Sequence, residues 1–146
     1  MYFLKVNCRG FFYGQGNENI SFVNCVFDSN LAIYEGDGTI ANGSGGAIYL
    51  ESSSSKYENC IFYKNFVSTY GGAIFSIFEN SSKIINSLFL ENSAAVGGSI
   101  YVWGSDLYSA NSIFWDNYVL LGGSSHGIDF SNFIKNSQNH ANLLQD

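Results

Sequence analysis

The sequence predicts an all-β chain wound into a right-handed, single-stranded parallel β-helix of about 4–5 coils, and three observations carry that expectation. A Gly-Gly pair returns at Gly45-Gly46, Gly71-Gly72, Gly97-Gly98 and Gly122-Gly123, in steps of 26, 26 and 25 residues. A second phrase, Asn-(Cys/Ser)-aliphatic-Phe-x-x-Asn, keeps time with it at Asn24–Asn30, Asn59–Asn65, Asn86–Asn92 and Asn111–Asn117. The chain also contains no proline. Each proline would remove a ladder hydrogen bond, so its absence suits closely stacked strands. The hand follows from the strong chirality bias of parallel connections.

Each unit is too short for two packed helices. Its Ile, Val, Phe and Tyr favour strands, and runs of four to six apolar residues alternate with Ser, Asn and Gly clusters. The Gly pairs open the phrase Gly-Gly-(Ala/Ser)-Ile-(Tyr/Phe). They are expected to serve tight corners that need positive φ. If coil lies on coil, equivalent side chains pile into columns. Ile48, Ile74 and Ile100 should form an inward aliphatic column, and Phe27, Phe62, Phe89 and Phe114 an inward aromatic one with offset-stacked rings. Alternation then turns Val26, Ile61, Leu88 and Ile113 outward, an uncomfortable place for four aliphatics. Either the strand bends there, or the inserted loop or another chain covers that flank.

Asn30, Asn65, Asn92 and Asn117 read as a turn ladder, because Asn tolerates left-handed backbone and its amide can bond to the Asn one coil away. A row of ligand-binding amides is the competing reading. Cys25 and Cys60 share a slot that later coils fill with Ser87 and Ser112, which marks a small-side-chain packing position. A disulfide between the stacked pair is the minority alternative, and the strand spacing does not forbid it.

Residues 20–128 should therefore be the repeat domain, with an insertion at 31–44 that maps to a loop on one face. Residues 1–19 are expected to be irregular or a partial coil, and 129–146 a decaying coil or cap. Within the last segment, Phe130, Phe133, Ile134, Ala141 and Leu144 have partly helical spacing, which suggests a short capping helix over Asp129–Leu144.

Composition narrows the function. The 146 residues carry a net charge of −6 with six basic side chains, of which Arg9 is the one arginine. Phosphate binding needs clustered Lys and Arg, so nucleic acid is excluded as a partner. No apolar run reaches the roughly 18 residues of a spanning helix, and no standard signal peptide is visible at the N-terminus. Tyr49, Phe75 and Tyr101 follow the Ile column and are the candidate ligand face, an exposed aromatic ladder for protein or glycan, or else a shield for the neighbouring strand. Glycosylation sequons stand at Asn19, Asn42 and Asn80. No catalytic residue, metal site or cofactor is expected. Asp28 holds a different repeat position from Glu91 and Asp116, so these acids should point to opposite sides rather than face one cleft. Lys64, Glu91 and Asp116 read as a solvated charged ladder.

The alternating phrases Gly-Gly-Ala-Ile and Phe-x-x-Asn resemble the paired motifs of the polymorphic outer membrane protein family, over roughly Ile20 to Gly123. That resemblance implies a right-handed β-helix of the pectin-lyase-like class and a secreted or surface-displayed location. It further implies an adhesin-like or structural role, with a carbohydrate-binding or carbohydrate-active protein, or a fragment of a larger surface protein, as alternatives. Lyases of that fold need clustered carboxylates and a basic residue to take a proton, whereas the one arginine here, Arg9, lies outside the repeats. Bacterial family members end in a membrane β-barrel, and neither a barrel-like C-terminus nor a long repeat array is seen here.

Overall fold

The computed structural model describes residues 3–4, 7–8, 12–16, 19–33, 43–78, 81–104, 106–120, 128–129 and 133–135. The described residues are strands joined by turns, bends and irregular segments, with no helix among them. The first winding supplies β1 (Phe3–Leu4), β2 (Asn7–Cys8) and β3 (Phe12–Gln15). Next come β4 (Ile20–Val23), β5 (Val26–Asp28), β6 (Leu31–Ala32) and β7 (Ile48–Glu51). The following coil is β8 (Ser55–Glu58), β9 (Ile61–Tyr63), β10 (Phe66–Val67) and β11 (Ile74–Ile77). Below it lie β12 (Ser81–Ile85), β13 (Leu88–Leu90), β14 (Ser93–Ala94) and β15 (Ile100–Trp103). The last winding holds β16 (Asp106–Ala110), β17 (Ser112–Trp115) and β18 (Tyr118–Val119), followed by β19 (Ile128–Asp129) and β20 (Phe133–Lys135).

Four sheets run along the stack. Sheet I is β1-β4-β8-β12-β16, sheet II β2-β5-β9-β13-β17-β20, sheet III β6-β10-β14-β18, and sheet IV β3-β7-β11-β15-β19. Every pairing among β1–β18 is parallel, with repeat positions in register, as in Ile48↔Ile74↔Ile100 and Phe27↔Phe62↔Phe89↔Phe114. The protein is a parallel β-helix. Residues 31–32 pair with Phe66 and Val67, so the insertion begins after this short strand.

The interior is built from the predicted columns. The four Phe rings are 0% exposed and stack at 4.7, 4.5 and 4.6 Å, with interplanar angles of 4°, 8° and 10°. Burial contributes roughly 1.5–3 kcal/mol per ring, and stacking about 0.5–1.5 more per pair. Beside them a Phe22–Tyr57 stack and the Ile column complete one continuous core.

At one corner, Asn30, Asn65, Asn92 and Asn117 are buried and chained through their amides. Asn65 Nδ2 donates to Asn92 Oδ1 at 2.8 Å, and Asn92 Nδ2 to Asn117 Oδ1 at 2.9 Å. Each Oδ1 also accepts the backbone N–H of the Asn one coil earlier. The ladder is as expected, but these residues do not take left-handed backbone. Positive φ falls instead on their immediate predecessors Ser29, Lys64, Glu91 and Asp116, and on Asn24, Asn59, Asn86 and Asn111. The buried amide substitutes for a turn hydrogen bond, so the residue before it makes the bend.

Both glycines of each pair have a reason. Gly45, Gly71 and Gly97 have φ +69°. Their successors sit so close to the next coil that a Cβ on Gly46 would strike the carbonyl oxygen of Gly72, and one on Gly72 that of Gly98. The second glycine serves close stacking rather than a left-handed corner.

The Cys/Ser column is more than small packing. Its Sγ or Oγ atoms donate to the carbonyl two residues back: Cys25 to Val23, Cys60 to Glu58, Ser87 to Ile85 and Ser112 to Ala110. The same atoms accept from above, as Ser87 Oγ does from Cys60 N–H at 3.1 Å. Cys60 is a buried free thiol, so the stacked pair is not bridged.

In place of the helix expected over Asp129–Leu144, β19 and β20 run antiparallel to β15 and β17. The open edge of the last coil offers a row of unpaired N–H and C=O groups, and strand pairing satisfies them where a helix could not. The rest of that segment lies outside the described residues.

Candidate functional site

Sheet II has two faces of nearly equal hydrophobicity. The Phe column fills the inside. Outside it, two further columns run in register, Val26/Ile61/Leu88/Ile113 and Asp28/Tyr63/Leu90/Trp115. Ile61, Ile113 and Trp115 are 39%, 43% and 51% exposed, and the others half-buried. A half-solvated sheet ordinarily alternates apolar inside with polar outside. One outward column of sheet I follows that rule, with Ser21, Lys56, Lys83 and Tyr108, and Lys56 is bonded to Glu58 at 2.7 Å. Sheet II breaks it. No strand bends to hide the four aliphatics; they stay on the surface.

An ionic row borders this face at the left-handed corner. Lys64 lies 3.5 Å from Glu91 across one coil and 4.8 Å above the Tyr63 ring. Hydrogen bonding with Tyr63 and then the Glu91 charge hold its ammonium above the ordinary lysine range. Asp116 continues the corner row, while Asp28 sits on the sheet face itself. Asp28 therefore occupies a different row from Glu91 and Asp116, as the repeat positions imply. Among the described residues no three His, Cys, Asp or Glu side chains cluster to hold a metal. Ser125-His126-Gly127 lies outside the described residues.

The expected aromatic ligand face behaves differently. Tyr49, Phe75 and Tyr101 do stack along the outside of sheet IV, at 5.2 and 5.7 Å, but they are only 2%, 0% and 3% exposed. Tyr70, from the turn before the second Gly pair, lies 5.9 Å from Phe75 and 5.0 Å from Tyr101. With Val96 and Ile77 it roofs a second, outer hydrophobic cluster. The ladder is a shielded core, not an open platform. Burial, then the Glu51 carboxylate, pushes the Tyr49 phenol up to about 12. Only Tyr13, stacked on Tyr49 at 5.2 Å, remains exposed at that end.

Asn19 is exposed at a corner with φ +58°, while Asn42 and Asn80 lie outside the described residues. The sequence reading named the outward aliphatic column but missed Tyr63, Leu90 and Trp115. Their signal was present: two residues after each outward aliphatic, strand alternation returns the same face.

Fold and repeat phrases together define the class, a parallel β-helix whose repeats resemble those of polymorphic membrane proteins. The family model described as Chlamydia polymorphic membrane protein repeat matches residues 24–51 and 59–77, two segments that each begin at the Asn-Cys phrase. The chain is also similar to Probable autotransporter YfaL of Escherichia coli (strain K12), 35% identical over 89 residues. That match takes in 56% of this chain and 7% of the relative, so the chain spans a small fraction of that protein's length. No solved structure matches the chain.

Proposed function

We propose that this chain is a non-catalytic β-helix segment of a surface-exposed, autotransporter-like protein, and that it engages a protein partner through the outer face of sheet II. One observation carries the proposal: in β5, β9, β13 and β17, seven of the eight outward positions are apolar or aromatic (Val26, Ile61, Tyr63, Leu88, Leu90, Ile113 and Trp115), against Asp28. Such a contiguous apolar surface on a soluble fold is a characteristic of interaction sites. Its flatness and aliphatic content suit a protein better than a sugar, which needs convergent polar groups. The repeat family and the autotransporter similarity support surface display.

The test is adhesion of beads coated with the protein to cells, comparing the parent with Leu88→Lys and with Ile61→Lys. Both positions point away from the core, so the β-rich circular dichroism spectrum should persist while adhesion falls at least tenfold. Undiminished adhesion by folded variants would refute the role of this face. Antibody against the repeat segment should label intact cells of the source organism and lose its epitope on protease shaving.

A further inference from the structure

The four coils place equivalent residues at the corner after sheet IV: Gly16, Ser52, Phe78 and Gly104, with φ of 61°, 49°, 62° and 63°. Their equivalence is fixed by the bonds Gly16 N–H to Glu51 O, Ser52 N–H to Ile77 O and Phe78 N–H to Trp103 O. Two windings use glycine there and one uses serine. A phenylalanine in this conformation is a backbone outlier, because its Cβ crowds the following carbonyl. Strain of this kind persists at sites where the side chain has a task.

Phe78 gains nothing from burial that would offset the strain, for it is 48% exposed. Its neighbour in the next coil is Trp103, also 41% exposed, with ring centroids 6.2 Å apart and planes inclined at 39°. The two rings are thus inclined, partly exposed neighbours, unlike the buried Tyr49/Phe75/Tyr101 cluster. In line with Trp103, two coils away, stands Glu51, and Ser52 occupies the same corner column as Phe78.

We infer that Phe78 and Trp103 form a stacking site for a neutral pyranose sugar. The C–H groups on the face of a ring with equatorial hydroxyls carry partial positive charge and meet the negative face of an aromatic ring. Two side chains match one or two sugar rings in size, whereas a protein interface needs about 800 Å² from each partner. Glu51 and Ser52 supply acceptors for sugar hydroxyls along the same edge. The net charge of −6 disfavours anionic glycans. This corner is separate from the outer face of sheet II, so either can fail without the other.

The experiment uses the whole chain with Trp115→Phe, which leaves Trp103 as the one tryptophan. Cellotriose and N-acetylated chitotriose are titrated to about 10 mM, a range that covers weak single-site binding. A saturable change in Trp103 emission is expected with at least one of them. Phe78→Gly should weaken that response at least tenfold and raise the melting temperature, because glycine relieves the left-handed corner. Phe78→Tyr should retain binding. The inference is overturned by no saturable response to either sugar, by a Phe78→Gly variant that binds as well as its parent, or by one that melts lower.

Discussion

Replacing Asn92 by alanine tests whether the buried amide ladder holds the coils in register. Asn92 is fully buried. Its Oδ1 accepts Asn65 N–H at 3.0 Å and Asn65 Nδ2 at 2.8 Å, and its Nδ2 donates to Phe62 O at 2.9 Å and Asn117 Oδ1 at 2.9 Å. Alanine keeps the backbone bond from residue 92 to Asn117 Oδ1 but strands two Asn65 donors away from water. At about 1–3 kcal/mol for each buried donor left unmade, the loss is about 2–6 kcal/mol, before any cavity is counted. That is a large part of the 5–15 kcal/mol that holds a domain together. Urea unfolding followed by circular dichroism reads the change as a shift in midpoint. Asn59→Gly is the control: it loses an exposed amide bond to Asn24 Oδ1 at 3.2 Å while keeping φ +53° free of strain. It should move stability by under about 1 kcal/mol. If Asn92→Ala shifts the midpoint no more than Asn59→Gly, the ladder is not what fixes the register.

The glycine pair separates two effects. Gly72→Ala should prevent folding, judged by loss of the cooperative melt, because its Cβ meets backbone, whereas Gly104→Ala, with φ +63° and open space around it, should lose only about 1–2 kcal/mol. Tyr57→Phe should raise the melting temperature, since the buried Tyr57 hydroxyl has no hydrogen-bond partner among the described residues and removing it lifts a desolvation penalty of about 1–3 kcal/mol. Stability should be flat through neutral pH and fall in alkali. Burial raises the Cys60 thiol from 9.0 to about 11, so above pH 9 the unfolded chain loses this proton first and folding weakens until the native thiol also ionises. Cys60→Ser, which preserves the donor and acceptor pattern of Ser87, should remove that part of the alkaline decline in a pH series of urea melts.

The columns were legible in the sequence because stacking forces one residue type to recur at one interval. Phe27, Phe62, Phe89 and Phe114 could be aligned by counting. What counting could not supply was anything set by non-repeating neighbours. The sequence left Tyr49, Phe75 and Tyr101 as either an exposed ladder or a shield; Tyr70, which packs against Phe75 and Tyr101 and belongs to no repeated phrase, decides for the shield. The Asn ladder was recognised from its spacing, yet its φ angles were assigned one residue too late. Positive φ falls on Lys64 and Glu91 because the bend lies one residue before the buried amide, whatever side chain stands there. The terminal strands β19 and β20 escaped notice because pairing with an open edge depends on the edge, not on local pattern.

The contact between Gly72 and Gly98 has a consequence for how such molecules change over generations. Each turn meets its neighbour through the same glycine seat, the same amide hook and the same ring. A duplicated or deleted turn therefore presents surfaces that already fit. Length can change only in whole steps of about 4.8 Å, and gene recombination between turns becomes a reversible ruler for how far the molecule reaches.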